Sequence, residues 1–506
     1  MMARRWGALL LLTALSCLSS CLPSPGGDEG KKGYIWANVT QEGLDFAKEV
    51  LIREAVSSLT ALHLPDISRS FRIPFVGGVE AVFSCIILSH LNLSSSSSGA
   101  HPGDTGIAII VTGATANITM KWRYTYSSWL IPVDVSDEGS ASVRVEGMQA
   151  GITLRIENHD GFLKLVVIDC GSVIENIFIS LDGGASWFYQ GWVDAFEEQI
   201  RSSVETAVVK RIKDGILKIN LLLARLPSEI TVDSVASLNV TFMDDPLMAN
   251  ETVGFEIDGL FTESNMSYSF THRFGHFQHV LSCEHSSKML GISVDEAVFN
   301  SASDVYFKAG VMNWIVDKLP DQSLLNTAGW RFIVPQLYKK YPNDEMELTI
   351  SVTSPPLIRI TAGGISSTIS ADMTIDVIES NQIIPVACVY MVISASGTLG
   401  MSGSDLAGEV RLDGFTLELK WSDVGNFHMY LIQTVVRVLL KDVFIPYVNT
   451  RLSRGFPLPV IHGFALTNSD ISLGDSNAVI CTDLASAPNN STSAKIISSL
   501  MKQRVL

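Results

Sequence analysis

An α+β fold of two similar halves is predicted by three features of the sequence. A short amphipathic helix is followed by a run of strand-like segments; a long amphipathic helix closes that run; and the same order of helix, meander and long helix then occurs again. With 506 residues the chain is also too long for a single core.

The N-terminus, MMARRWGALLLLTALSCLSSCLPS, has two arginines, an apolar run and then small residues, the three parts of a secretory signal peptide. Residues 1–24 are therefore set aside from the fold. LSSC, ending at Cys21, also fits a bacterial lipobox, but sequons argue for a eukaryotic secretory route. Asn38, Asn92, Asn117, Asn239, Asn250, Asn265, Asn489 and Asn490 each precede x-Ser/Thr and are the glycosylation candidates. No second run reaches the roughly 18 uncharged apolar residues a membrane span needs; the best, from His428, contains Gln433, Arg437, Lys441 and Asp442. The expected product is a secreted, extracellular protein with no transmembrane anchor.

The first helix is read in QEGLDFAKEVLIREAVSSLTAL, where Leu44, Ala47, Leu51, Ala55 and Leu59 recur at helical intervals after Thr40, a cap residue. From Ile67 to about Leu181 short runs such as GIAIIVTG, ASVRVEGM and FLKLVVIDC predict an antiparallel meander, with Ser94 to Ser98 and GAHPGD as an exposed loop tip. The long helix follows. Trp192, Phe196, Ile200, Val204, Val208, Ile212 and Ile216 recur every four residues; each step advances about 400°, so the stripe drifts by roughly 40° per step around the helix. That winding suits a helix cradled by a twisted sheet, and equally an ordinary core stripe widened by Val193, Ala207 and Leu217.

In the second half, helices are read at Val305 to Lys318 and Leu325 to Lys340, strands at LTISVTS, LIRITAG, TISADMTIDVI, VACVYMVISASGTLGM and FTLELKW, and a last long helix from Asn426 to Arg454, kinked at Pro446.

Net charge is −16 and both halves are acidic, which argues against a nucleic-acid partner and against long-range attraction to anionic membranes. Five cysteines remain beyond the leader, Cys85, Cys170, Cys283, Cys388 and Cys481. An odd number leaves at least one thiol, and so few cannot form a disulfide framework.

HRFGHFQHVLSCEH, residues 272–285, raises the question of a metal site. As a helix it would align His272, His276, His279 and Cys283; as extended chain, His272 and His276 face away from His279 and Cys283. Flanking SNMSYSFT and HSSK favour a surface connection, and no HExxH accompanies it. No metal and no cofactor is expected. The chain also lacks a G-x-S-x-G elbow, a P-loop and G-x-G-x-x-G, so no catalytic residue is assigned and an enzyme is not expected.

VTQEGLDFA at 39–47 followed by LPDISRSFRIP at 64–74 resembles the opening of the bactericidal/permeability-increasing, lipopolysaccharide-binding and lipid-transfer protein family. WRYTYSSW, VEGM at 145–148, KMLGISVDEAVFNSASDVYFKAGVM from Lys288 and GFPLP at 455–459 fall in the family's order, so the resemblance spans the chain beyond the leader. It implies an elongated boomerang of two barrel-like domains, each a highly twisted antiparallel sheet around long helices, joined by a central sheet. The boundaries expected are 25–228 for the N-terminal domain, 229–252 for linker and central sheet, 253–486 for the C-terminal domain and 487–506 for a flexible tail.

The resemblance further implies an apolar pocket in each domain that takes acyl chains. Leu44, Leu51, Ala55, Trp192, Phe196, Ile200, Val204, Val208 and Ile212 are the pocket-wall candidates. Expected partners are phospholipid and, by resemblance, lipopolysaccharide or lipid A, with transient membrane contact and a monomer or weak dimer. The function expected is lipid binding with recognition of bacterial lipopolysaccharide in innate defence; the alternatives are a general extracellular phospholipid carrier and, remotely, a secreted lipid hydrolase. Two departures stand out. No basic cluster like that of lipopolysaccharide-binding members occurs near LNLSSSSSGAHPGD or Lys121 and Arg123, and Val209 occupies the helix position of the family's usual disulfide partner for Cys170. Cys85 is then the alternative partner of Cys170, unless Cys170 is a buried thiol.

Overall fold

The computed structural model describes residues 32–486 apart from 61, 74–76, 94–97, 104–105, 128–133, 185, 187–192, 250–251, 265–282, 284–286, 320–321 and 459–463. The leader, Trp192, His272, His276 and His279, the sequons at Asn250, Asn265, Asn489 and Asn490, and the tail lie outside the described residues.

Strand β1 (Ile35–Val39) leads into helix α1 (Gln41–Leu59), whose start is fixed by Thr40: its hydroxyl accepts from the Gly43 N–H. Next come β2 (Leu62–Leu64), β3 (Ile67–Ile73), β4 (Gly77–Asn92), β5 (Ser98–Gly103), β6 (Gly106–Ser127), β7 (Val135–His159), β8 (Phe162–Val173) and β9 (Asn176–Asp182), then α2 (Asp194–Leu223). These eight strands form one antiparallel sheet in the order β2-β4-β6-β7-β8, with β3 on β4, β5 on β6 and β9 on β7. Alternation is strict in β6: Ala114, Ala116, Ile118, Met120 and Trp122 are buried, whereas Asn117, Thr119 and Lys121 between them are exposed. α1 and α2 lie on the buried face, where Phe196 meets Phe83 edge-on at 5.0 Å. The expected loop tip after Ser98 is a correction: Ser98–Gly103 pairs with Gly106–Val111 as a strand.

A connecting region follows, with β10 (Glu229–Thr231), β11 (Ala236–Asn239), β12 (Leu247–Ala249), β13 (Thr252–Ile257), β14 (Phe261–Glu263) and β15 (Leu290–Asp295). β10, β11 and β14 pair among themselves.

The second half contains α3 (Glu296–Lys308), β16 (Asn313–Val316), α4 (Pro335–Lys340), β17 (Glu345–Val352), β18 (Leu357–Thr361), β19 (Gly364–Glu379), β20 (Gln382–Ser402) and β21 (Asp405–Ser422). Helices α5 (Met429–Leu439) and α6 (Ile445–Leu452) and strands β22 (Phe456–Pro457), β23 (Phe464–Leu473) and β24 (Asn477–Ser486) complete it. The sheet here runs β16-β17-β19-β20-β21-β22 with β18 on β19. Its core is Met373, Ile375, Val389 and Met391 under Ile432, Val436 and Leu440.

Three helices differ from expectation. The run read at Leu325–Lys340 is broken: two 3₁₀ turns, Gln322–Leu325 and Thr327–Trp330, precede the short helix α4, which has Pro335 in its first turn. The run read at Val305–Lys318 begins earlier, at Glu296, because Asp295 caps it by accepting from Ala297 N–H at 2.7 Å; residues 313–316 are strand β16. Pro446 does not simply kink a continuous helix. A π turn, Leu440–Phe444, intervenes without a break in helical backbone, and Pro446, which has no N–H to donate, follows it in the first turn of α6.

The six-stranded sheet joining the halves runs β12-β13-β1-β15-β24-β23. β1 lies in its interior, paired with β13 on one side and β15 on the other, so residues distant in sequence share one ladder. All three large sheets are twisted, antiparallel and open in their strand order, so the barrel-like expectation is met by curved sheets and not by closure.

The cysteine expectation is also corrected. Cys283 is bonded to Cys481, whereas Cys85, Cys170 and Cys388 are free. Cys85 is exposed in a bulge of β4 with φ +53°, and Cys170 is half-buried on β8, so neither supplies the proposed bridge. Cys481 sits on β24 opposite Gly291 of β15, eight residues after Cys283, and that pairing brings the two sulfurs together.

Candidate lipid site

The apolar side of the first sheet does not close into one core. Its distal part, with Leu59, Ile118, Val143, Phe196, Ile200, Val204 and Val208, is buried. A smaller cluster near the joining sheet contains Leu44, Ala100, Ile107 and Val253. Between the two, successive inward positions are only half-buried: Ile109 and Val111 on β6, Ala150 and Ile152 on β7, Leu165 and Val167 on β8, Leu51 and Ala55 on α1, and Ile212 on α2.

Strand register shows why these side chains form one band. Ile109 pairs with Ile152, Val111 with Ala150, and Leu154 with Val167, so their side chains lie on one face. The register shifts just beyond Val111, where Gly113 takes φ +73°, and Gly147 on the facing strand takes φ +67°. Such bulges bend a sheet, and the helices above it run on, leaving apolar side chains without full cover.

Of the pocket-wall candidates, Leu51, Ala55 and Ile212 line this band, and Leu44 marks its inner end. Phe196, Ile200, Val204 and Val208 are closed off as distal core. A cavity beside Phe196 and Trp122 at the far end measures about 40 Å³, room for about one water and not for a chain.

One side chain on this face was missed in the sequence. Ala47 is exposed, and Lys48 takes its place on the inward stripe at 7% exposure. Its ammonium donates to Asp45 Oδ1 at 2.7 Å, while Gln41 Nε2 bonds Asp45 Oδ2 at 3.4 Å and the Ala100 carbonyl at 2.9 Å. The Lys48 hydrogen bond holds the Asp45 carboxyl below its usual range, against the opposing effect of burial. A lysine four residues after Leu44 and seven before Ala55 is the signal that could have found it.

The second half repeats the arrangement. A groove of about 500 Å³ lies between the end of the β20–β21 hairpin and α6, lined by Leu399, Met401 and Pro446 together with Glu409, Thr450 and Ser453. Leu399 and Met401 of its wall pack on the cluster around the joining sheet, to which Leu406 also belongs.

Each opening is bounded by the same device. Asn220, on the last turn of α2, accepts from Leu165 N–H at 2.8 Å and donates to Leu165 O at 2.8 Å. Asn449, on the last turn of α6, accepts from Val410 N–H at 2.8 Å and donates to Val410 O at 3.0 Å. An amide side chain thus completes a strand ladder and latches each helix end to its sheet. Composition and periodicity carry no sign of either residue; comparing NLLLARLPS with NTRLSRGFP does.

The histidine-rich segment contributes nothing to these openings that can be described: its histidines lie outside the described residues, and Cys283 is consumed by the disulfide. Among the described residues no group of three His, Cys, Asp or Glu is placed to hold a metal. None of their helices is long and apolar enough to cross a membrane.

Two modules of helices on curved antiparallel sheets flank a shared joining sheet, the first with a half-buried apolar band and the second with a groove of mixed apolar and polar lining, an architecture of the lipid-binding class. Family models agree: the N-terminal domain of the LBP / BPI / CETP family matches residues 43–221 and its C-terminal domain residues 230–485. The chain belongs to this family of lipid-binding, non-enzymatic proteins. It is 47% identical to a BPI/LBP family protein of Arabidopsis thaliana, over 91% of this chain and 94% of that one. With the lipopolysaccharide-binding protein of Homo sapiens it shares 26% identity over 90% of this chain and 94% of that one. A crystal structure of lipopolysaccharide binding protein has the same fold, with a TM-score of 0.63 at 21% identity, covering 90% of this chain and all of the other.

Proposed function

We propose that this protein is a secreted carrier that holds two acyl-chain lipids, one in each opening, and that it recognises bacterial lipopolysaccharide through its acyl chains in defence. The observation behind this reading is the band from Leu51 to Val167: apolar side chains on sheet and helices that stay half-buried between two fully buried cores. Burying about ten methylenes of one chain contributes roughly 8 kcal/mol at about 0.8 kcal/mol each. Association costs on the order of 4–15 kcal/mol, so a two-chain lipid is held where a single chain is marginal.

The charge of the chain shapes the lipopolysaccharide part of the proposal. At −16 overall, capture of phosphates by a basic surface is unfavourable, and recognition rests on chain burial and hydrogen bonds. The same acidity favours a second reading, carriage of ordinary phospholipid without a role in defence. Asn92 and Asn117 are exposed on the outer face of the first sheet and are the sequons proposed to carry glycan.

Organic extraction and mass spectrometry of lipids that copurify with the secreted protein test the carrier reading, with two lipids per chain expected. Competition with lipopolysaccharide separates the alternatives: displacement by lipopolysaccharide in preference to phosphatidylcholine supports recognition, and equal displacement supports carriage. A protein that copurifies with no lipid and takes up neither ligand refutes both.

A further inference from the structure

We infer that Lys48 is a headgroup site within the first opening and selects acyl lipids that carry an oxyanion, a carboxylate or a phosphate. The inference rests on the reading of this opening as a lipid pocket. Its carrying observation is a mismatch between residue and place. The inward stripe of α1 runs Leu44, Lys48, Leu51, Ala55, Leu59, and the four other members are apolar. Lys48 is the one lysine or arginine among the described residues that is buried, and its side chain is 9% exposed.

Lysine at such a position can be purely structural, its stem packed on apolar neighbours and its ammonium neutralised by a carboxylate. The carboxylate beside it, Asp45, is poorly suited to that role alone. Asp45 is 45% exposed, so it is solvated without Lys48 and also has Gln41 beside it. The pair therefore has one member that tolerates separation and one that does not: a buried ammonium must keep an anion near it. When an anionic lipid enters, its headgroup can take over the ammonium in low-dielectric surroundings while Asp45 turns to water. Lysine suits this exchange, being a compact point charge on a flexible stem with rotatable donors. A neutral lipid offers no replacement anion, and the Lys48–Asp45 pair then persists as it stands.

The second opening provides an internal contrast. Its lining contains the Glu409 carboxylate and no lysine or arginine. Anion selectivity thus belongs to the first opening.

The test is binding of matched ligands to the full secreted protein after delipidation: oleate against oleyl alcohol for the carboxylate arm, and phosphatidic acid against diacylglycerol for the phosphate arm. A charge-assisted hydrogen bond predicts a preference of about tenfold or more for the anionic member of a pair. In Lys48→Met that preference falls by about tenfold, in Lys48→Arg it is largely retained, and in Asp45→Asn it rises because the competing carboxylate is gone. The carboxylate and phosphate arms tell fatty acid from acidic phospholipid. An anion preference that Lys48→Met leaves intact, or that Asp45→Asn abolishes, overturns the assignment while the pocket stands. Wild-type protein that binds no member of either pair overturns the pocket reading along with it.

Discussion

Replacing Cys283 with serine removes the covalent link to Cys481 and leaves a buried thiol on β24, which behaves there as a small apolar side chain. The bridged residues are 198 apart, so the bond closes a loop around the whole second module. In the chain-entropy account, a closed loop of that length restricts the unfolded ensemble by about 5 kcal/mol, and measured effects of native bridges run from about 2 to 5 kcal/mol. Unfolding in guanidinium, followed by tryptophan fluorescence, should therefore show the Cys283→Ser protein lower in midpoint by that equivalent, and wild type under reductant should match it. Thiol titration of the unreduced, denatured mature protein should find three thiols, from Cys85, Cys170 and Cys388. Five thiols, or a Cys283→Ser midpoint equal to that of oxidised wild type, would refute the reasoning.

Three further outcomes are expected. Asn220→Ala and Asn449→Ala each leave a strand N–H without its acceptor, which costs about 1–3 kcal/mol apiece in denaturant unfolding; no loss in either would show that the latches are incidental. Burial pushes the Asp295 carboxyl up to about 6. The folded state therefore binds the proton that the unfolded chain, near 3.9, releases, so stability falls as pH rises from about 4 to about 6, by on the order of 2–3 kcal/mol. Asp295→Asn keeps an acceptor for Ala297 N–H and should flatten that slope when melting is followed against pH; a slope identical to wild type counts against it. Ile212→Trp should fill the first opening and reduce lipid from two to one per chain by native mass spectrometry, while persistence of two would place the lipid elsewhere.

Much of this architecture is legible in the residues. The alternation in ASVRVEGM and ANITMKWRYTY is resolved as strand because each polar residue meets water on the outer face, and the every-fourth-residue stripe from Phe196 to Ile216 is α2. What periodicity could not supply is register. A rotation of about 100°, one residue's step, decides whether Ala47 or Lys48 faces inward, and both fit a helical interval. The stripe of α2 likewise carries no mark of where core ends and opening begins; that is set by bulges at Gly113 and Gly147 on strands more than forty residues away in sequence. Cys283 gave no sign of its partner because the bridge depends on β15 and β24 being neighbours, a long-range pairing. The helix read at Val305–Lys318 begins instead after Asp295, a residue of ordinary N-cap type whose carboxylate accepts from the Ala297 N–H.

Asn220 and Asn449 bear on tolerance to mutation as well as on binding. An amide that imitates a peptide group needs only backbone to pair with, so the contact is indifferent to which side chains its partners, Leu165 and Val410, carry. A substitution at either strand position can change the packing around a helix end and still leave the latch closed, whereas loss of either asparagine opens it.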